Sequence, residues 1–284
     1  MTTRRLATRL AGLTMGWLML TGLQAPAKAP APLSLWRLDC GEFLINDYNA
    51  FFSDTYQYRP GPKRLVSSCY LIRHGDRYLL WDAGLPGELV GNPQTTPQQT
   101  MSLRISIRDQ LAQIGVKPEQ IEFLGISHYH LDHIGQAADF PGARLVIGAA
   151  DLATLKGADN AFIQPRRIKP WLDGDPGRIV AAQGDVDFFR DGRVVMLEMP
   201  GHTAGHYALL VRLDSGPVLL SGDLYHFREQ VEHRGVPPFN HDRADTLASM
   251  DRYDRMAKNL RARSIIQHEP ADVGLLPAFP QAAH

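Results

Sequence analysis

This 284-residue chain has only two cysteines, no excess of either charge and few long hydrophobic runs. The two cysteines do not have the spacing of a cysteine metal site. Lys plus Arg and Asp plus Glu each total 30, and no basic stripe stands out, which argues against a nucleic-acid partner. With 44% hydrophobic and 21% charged residues, the chain has the composition of a globular protein with a full core.

The longest apolar run lies near the N-terminus and is too short to span a membrane comfortably. It extends from Leu10 to Leu23, follows three arginines and precedes a stretch rich in alanine and proline. This pattern predicts a signal peptide over residues 1–29, with an uncleaved anchor as the alternative. The mature protein would be periplasmic or secreted, mildly acidic and without stable membrane insertion, which suits a small-molecule substrate.

The two cysteines, Cys40 and Cys69, each lie in a run that is typical of a strand. We expect two buried thiols in the core, because free cysteine behaves as a small apolar residue. A disulfide is the alternative, since export would permit one.

Strand and helix patterns alternate along both halves of the chain, which predicts an α/β protein with two packed sheets covered by helices. We predict one domain over residues 30–284. An irregular segment near 157–177 is expected to form a lid-like insertion, with Phe162 and Trp171 as substrate contacts. The predicted strands are 65–73, 77–81, 123–127, 144–147, 186–189, 193–199, 207–213, 218–221 and 264–267, and the predicted helices cover 103–115, 149–156 and 246–260.

The strongest chemical signal is a cluster of metal-binding side chains directly after a predicted strand. His128, His130, Asp132 and His133 fall within six residues. Imidazoles and a carboxylate at this density are costly to bury without a cation between them. The cluster therefore predicts a metal site.

Three further ligand types, His202, Asp223 and His268, also follow short apolar runs. Loops at strand ends converge on one edge of a sandwich, so these side chains can meet the cluster. Five histidines and two aspartates fit two cations, with three histidines at the first and Asp223 as a bridging carboxylate. Ligation by nitrogen and oxygen alone suits zinc, with iron or manganese as alternatives.

In this order, the seven ligands resemble the metallo-β-lactamase fold superfamily. The resemblance implies an αββα sandwich, classed as α+β in some schemes, with a dimetal centre at one edge. It implies that the first zinc is bound by His128, His130 and His202, the second by Asp132, His133 and His268, and that Asp223 bridges them.

Within this superfamily, Asp223 resembles the bridging aspartate of the lactonases, the glyoxalase II-like thioesterases and the phosphotriesterase-like members. The runs Leu38-Asp39-Cys40-Gly41 and Asp82-Ala83-Gly84-Leu85-Pro86 resemble the N-acyl-homoserine lactonases more than the others. Many lactonases place a tyrosine three residues after the bridging aspartate, where it helps to hold the substrate carbonyl. This chain has His226 there and Tyr225 one position earlier, so either side chain is a candidate for that hydrogen bond.

The resemblance implies a quorum-quenching dizinc hydrolase that opens a lactone ring through a metal-bridging hydroxide, and the signal-peptide pattern predicts that it is exported. Asp132 or Asp223 is expected to transfer the proton. Hydrolysis of β-lactams, phosphotriesters or thioesters on the same site is the alternative, followed by a mono-iron persulfide dioxygenase. The sequence is compatible with a homodimer but does not define the oligomeric state.

Overall fold

Two β-sheets lie face to face, with helices on both outer surfaces, in this computed structural model of the protein. The structure describes residue 2 and residues 31–160 and 163–284. Residue 2 aside, the predicted signal peptide therefore lies outside the described residues, and so does Phe162.

The first sheet has eight strands among the described residues, in the order β4-β5-β1-β2-β3-β6-β7-β8. The four strands β3, β6, β7 and β8 run parallel to one another, whereas β1, β2 and β3 are antiparallel neighbours. The strands are β1 (Leu33–Ile45), β2 (Lys63–His74), β3 (Arg77–Trp81), β4 (Gln94–Thr95), β5 (Gln99–Ser102), β6 (Ile121–Ile126), β7 (Arg144–Gly148) and β8 (Ile179–Ala182).

The second sheet has five strands in the described part of the chain, in the order β13-β12-β11-β10-β9. β11 is antiparallel to both neighbours, and β13 is parallel to β12. As a result, β10, β12 and β13 end at the same edge of this sheet. The strands are β9 (Val186–Asp187), β10 (Val194–Glu198), β11 (Tyr207–Leu213), β12 (Gly216–Leu220) and β13 (Arg263–Ile265).

Helices cover the outer faces of the two sheets. The 18-residue helix α7 begins after Asp242, whose side chain accepts a hydrogen bond from the backbone N–H of Asp245 and caps the helix. The helices are α1 (Tyr48–Phe52), α2 (Ile107–Gln113), α3 (Leu131–Ile134), α4 (Ala149–Gly157), α5 (Lys169–Leu172), α6 (Arg228–His233) and α7 (Arg243–Leu260). The αββα arrangement confirms the predicted fold class.

The apolar core has layers because successive side chains of a strand point to opposite faces. On β2, Tyr70 and Ile72 face the second sheet, whereas Cys69 and Leu71 face the helices outside. Met250 of α7 covers the outer face of the second sheet. In the described part of the chain, no helix has the length and apolarity needed to cross a membrane.

The expectation of two free thiols is wrong, because Cys40 and Cys69 form a disulfide with a Cα–Cα distance of 5.8 Å. On the paired strands, Cys69 lies opposite Leu38, two residues before Cys40. The register shifts between Asp39 and Glu42, so a bulge follows directly. Cys40 is therefore a diagonal neighbour of Cys69 on the same face, within reach of a disulfide.

Residues 163–177 of the segment predicted as a lid are held against the outer face of the first sheet. Its helix α5 places Trp171 in a buried apolar cluster, where the indole N–H donates a hydrogen bond of 2.8 Å to the carbonyl of Ala143. Arg167 forms an ion pair with Glu88 at 2.8 Å. Trp171 is therefore a core residue, which corrects its prediction as a substrate contact.

Candidate metal centre

The seven predicted ligands come together at one edge of the sandwich, where strands of both sheets end. His128 and His130 follow β6 in the first sheet, and His202 lies in the loop between β10 and β11. Asp223 and His268 follow β12 and β13. Because β10, β12 and β13 run in one direction, their carboxyl ends bring together residues far apart in the sequence.

Three imidazoles and one carboxylate form the first cluster. Nε2 of His202 lies 3.2 Å from Nε2 of His128 and 2.9 Å from Nδ1 of His130. Oδ2 of Asp223 lies 3.4 Å from Nε2 of His202 and 3.6 Å from Nε2 of His128. Ligands of a tetrahedral zinc ion would be about 3.3 Å apart, given Zn–N distances of about 2.0–2.1 Å. The four side chains therefore fit a single cation.

The second cluster is formed by Asp132, His133, His268 and the same Asp223. Oδ1 of Asp223 lies 3.0 Å from Nε2 of His133 and 2.9 Å from Nε2 of His268. Oδ2 of Asp132 lies 3.4 Å from each of these nitrogens. The two oxygens of Asp223 thus face different clusters, as expected for a carboxylate shared by two ions.

The tautomers that the surroundings impose also fit metal binding. Nδ1 of His202 faces the side-chain oxygen of Asn240 at 3.0 Å, and Nδ1 of His268 faces the carbonyl of Val66 at 2.7 Å. Since these oxygens can only accept, each Nδ1 donates, and the Nε2 of a neutral ring carries a lone pair. These lone pairs point at other nitrogens or at Asp223. Nε2 of His133 is buried beside the oxygens of Asp223 and Asp132, but neither oxygen is oriented to form a hydrogen bond with it. A cation would relieve both conflicts.

Burial and neighbouring charge set the protonation of these imidazoles. Burial lowers the pKa of His128 and His202 well below its ordinary value and lowers the pKa of His130 to about 4. These rings are therefore neutral at neutral pH, as metal ligation requires. At His133, burial lowers the pKa, but surrounding carboxylates, with Asp223 foremost, raise it well above the ordinary value. A cation in the second cluster would compete with this proton.

A model of the Metallo-beta-lactamase superfamily matches residues 62–268. The chain belongs to this superfamily. It is a metal-dependent hydrolase, and its two His/Asp clusters indicate a dimetal site.

Similar proteins include several lactonases. N-acyl homoserine lactonase AttM of Rhizobium johnstonii is 27% identical over 215 residues, which cover 71% of this chain and 81% of that protein. An N-acyl homoserine lactone hydrolase solved with N-hexanoyl-L-homoserine at its catalytic metal center has a TM-score of 0.75 at 22% identity, covering 89% of this chain and 100% of that one. AidC, a dizinc quorum-quenching lactonase, has a TM-score of 0.64 at 16% identity, covering 89% and 90%. These two structural likenesses show the shared fold.

In this member of the metallo-beta-lactamase superfamily, Asp82 supports His133 of the second cluster, a role that was not predicted from the sequence. Its Oδ2 accepts hydrogen bonds from Nδ1 of His133 at 2.9 Å, Oγ of Ser127 at 2.9 Å and Nε2 of Gln267 at 2.6 Å. Such a carboxylate fixes the tautomer and orientation of a ligating imidazole. In the sequence, the only signal for this role is the position of Asp82 directly after the buried strand β3.

His206, close to the first cluster, is fully used in hydrogen bonding. Its Nδ1 donates to the carbonyl of Met199 at 2.9 Å, and its Nε2 accepts from the backbone N–H of Asp223 at 2.9 Å. Gly222 has φ +54°, and a Cβ there would lie 2.6 Å from Nε2 of His206. His206 therefore positions the Asp223 backbone and has no nitrogen left for a metal.

The structure distinguishes between Tyr225 and His226, the two candidates for a hydrogen bond to the substrate. Tyr225 is extended (φ −133°, ψ 139°), so its side chain and that of His226 point to opposite sides. The hydroxyl of Tyr225 donates to Asp254 at 3.0 Å within the core beside α7, which corrects its prediction as a catalytic residue. Nε2 of His226 lies 3.3 Å from Oδ2 of Asp223, so His226 faces the site.

An aromatic wall formed by Phe51, Phe52 and Phe239 stands beside the first cluster and was not predicted. The ring of Phe52 lies 4.6 Å from that of His226, and the ring of Phe239 lies 5.8 Å from that of His202. Phe51 and Phe239 contact each other at 5.2 Å. Phe239 remains 43% exposed, so this wall offers apolar surface next to the metal clusters. No sequence pattern links these residues, because α1 and the α6–α7 loop meet only in the fold.

Proposed function

We propose that this protein is an exported dizinc lactonase that opens the ring of N-acyl homoserine lactones. The observation that carries the proposal is the division of the two Asp223 oxygens between the clusters, directly beside the aromatic wall. This arrangement suits a substrate with a hydrolysable carbonyl and an apolar chain. The lactonases among the similar proteins support the same substrate class.

Two ions held by these ligands would provide a water of lowered pKa and polarise the substrate carbonyl. The ligand set contains no thiolate, which favours zinc, and the dizinc lactonase AidC shares the fold. Asp223, with one oxygen facing each cluster, sets the distance between the two clusters. Asp132 is the more accessible aspartate, with 16% of its side chain exposed against 6% for Asp223. We therefore assign to its carboxylate the transfer of the proton released by the attacking water to the leaving alkoxide.

His226 adds a polar contact of defined direction. Nε2 of Gln230 donates to the carbonyl of Gly235 at 2.8 Å, so its Oε1 faces Nδ1 of His226 at 3.1 Å. Nδ1 of His226 therefore donates to Gln230, and Nε2 of the neutral ring accepts. We assign to this Nε2 a hydrogen bond from the amide N–H of an acyl homoserine lactone. A tyrosine at this position would donate instead.

The proposed export has indirect support from the disulfide. Bonded cysteines persist in oxidising compartments and are rare in the cytosol. The Cys40–Cys69 disulfide is therefore consistent with a periplasmic or secreted protein. Fractionation of cells that express the full chain, followed by N-terminal sequencing of the mature protein, tests this part.

Metal analysis combined with a substrate panel tests the activity. We expect two zinc ions per chain and faster turnover of acyl homoserine lactones than of β-lactams, phosphotriesters or thioesters. Asp223→Ala should lower metal content and reduce lactone turnover by at least about 100-fold. Full activity in this variant would refute the shared-carboxylate site. Faster turnover of another substrate class would refute the lactonase assignment, and one redox-active iron per chain would point to an oxygenase.

A further inference from the structure

A buried carboxylate outside the metal clusters, Asp151, is not explained by the proposed function. It lies in the first turn of α4, is fully buried and has no cationic partner in the part of the chain that the structure describes. Burial raises its pKa to about 7. An unpaired carboxyl group in the interior is costly unless hydrogen bonds satisfy it. Its contacts therefore indicate what it does.

Asp151 accepts hydrogen bonds from two separate ligand-bearing loops. Its Oδ2 accepts from the backbone N–H of Tyr129 at 3.0 Å and from Oγ1 of Thr203 at 2.8 Å. Its Oδ1 accepts from the backbone N–H of Gly205 at 2.7 Å. Tyr129 lies between His128 and His130, and the other two donors follow His202 closely. One carboxylate thus joins the loops that supply all three imidazoles of the first cluster.

The surrounding backbone leaves little room for adjustment. A Cβ on Gly148, just before α4, would lie 2.1 Å from the carbonyl oxygen of Gly205. A Cβ on Gly205 would lie 2.6 Å from the backbone nitrogen of Asp151. The start of α4 and the His202 loop are therefore in direct backbone contact, which only glycine permits at these two positions. Asp151 is held rigidly at the junction of the loops.

We propose that Asp151 is a positioning residue that sets the spacing between the His128–His130 loop and the His202 loop, and thereby the affinity of the first metal site. The inference rests on the dimetal site of the proposed function. It predicts selective support, because Asp151 contacts loops of the first cluster whereas Asp82 supports His133 of the second.

Asp151→Asn is the sharpest substitution because it preserves the shape of the side chain. An amide has one acceptor oxygen and one donor NH₂ group. Whichever way the amide is turned, its NH₂ group faces the backbone N–H of either Tyr129 or Gly205. The variant therefore releases one of the two loops without leaving a cavity.

Asp187→Asn provides a matched control. The Asp187 carboxylate also accepts three hydrogen bonds, from the backbone N–H groups of Phe189, Arg190 and Gly192. It is the last residue of β9, at the outer edge of the second sheet. The turn that follows contains no predicted metal ligand. This variant reports the general effect of losing a carboxylate that caps backbone N–H groups.

The experiment is titration of the metal-free full-length proteins with Co²⁺, followed by calorimetry and by the visible absorption of the bound ion. For Asp151→Asn we expect about 10- to 100-fold weaker binding at one of two sites, with an altered spectrum for that ion. Binding at the other site should remain close to that of the unchanged protein. Asp187→Asn should match the unchanged protein at both sites.

Wild-type affinity and spectrum in Asp151→Asn would overturn the proposal, as would an equal loss in both variants. If Asp151→Asn does not fold, Thr203→Val removes one of the three hydrogen bonds and should still weaken binding at one site and change its spectrum. An unchanged Thr203→Val would then overturn the proposal. All affinities are measured without substrate. Failure to hydrolyse lactones would therefore refute the proposed function and leave this result unaffected.

Discussion

Removing the ring of Phe239 should weaken catalysis in proportion to the length of the substrate acyl chain. A phenylalanine side chain presents about 150–250 Å², and 43% of Phe239 is exposed beside the metal clusters. About 85 Å² is therefore available to a ligand, which corresponds to about 2 kcal/mol at about 25 cal/mol per Å². For Phe239→Ala we expect a loss in kcat/KM of up to about 30-fold with long acyl chains.

The assay compares kcat/KM for homoserine lactones with acyl chains from four to about twelve carbons. The loss should be small for the shortest chain and should reach its limit once the chain covers the ring. Leu44→Ala is the matched control, because Leu44 is 45% exposed and points away from the face of β1 on which Phe43 contacts His268. An equal loss for short and long chains, or a similar loss in Leu44→Ala, would refute the assignment of the aromatic wall to the acyl chain.

Three further variants test other parts of the structure. Replacing Cys40 and Cys69 by alanine opens a loop of 29 residues and should lower the free energy of unfolding by about 3–4 kcal/mol in urea titrations; a loss below about 1 kcal/mol would contradict this. Asp82→Asn places an amide against Nδ1 of His133 and should weaken metal binding about 10- to 100-fold by calorimetry, whereas unchanged affinity would exclude the supporting role. Tyr225→Phe should keep kcat within about 2-fold while lowering stability by about 1 kcal/mol, and a large fall in kcat would restore its catalytic assignment.

The convergence of the seven predicted ligands could be inferred from the sequence because their signal is local. His128 to His133 form one short run, and His202, Asp223 and His268 each stand at the end of an apolar run. The structure brings all seven together, and the strands β3 and β11 have the predicted bounds. The positions of the ligands at strand ends, and their order along the chain, are enough to predict that they meet, without knowledge of tertiary contacts.

Features that depend on side-chain direction were harder to predict. The disulfide required the register of β1 on β2 and the bulge after Asp39. The choice between Tyr225 and His226 required the extended backbone at residue 225, since adjacent side chains point to opposite sides. Trp171 lies in an irregular segment, where composition alone does not distinguish a substrate contact from a core anchor.

The division of the ligands between the sheets has a consequence for assembly. The first half of the chain supplies His128, His130, Asp132 and His133 from the first sheet, whereas the second half supplies His202, Asp223 and His268 from the second. Neither half alone contains a complete ligand set for either ion. A complete ligand set would therefore form only when the sheets dock, and bound ions would resist their separation. Two separately produced halves, divided in the loop between β8 and β9, should associate more tightly with zinc than without it.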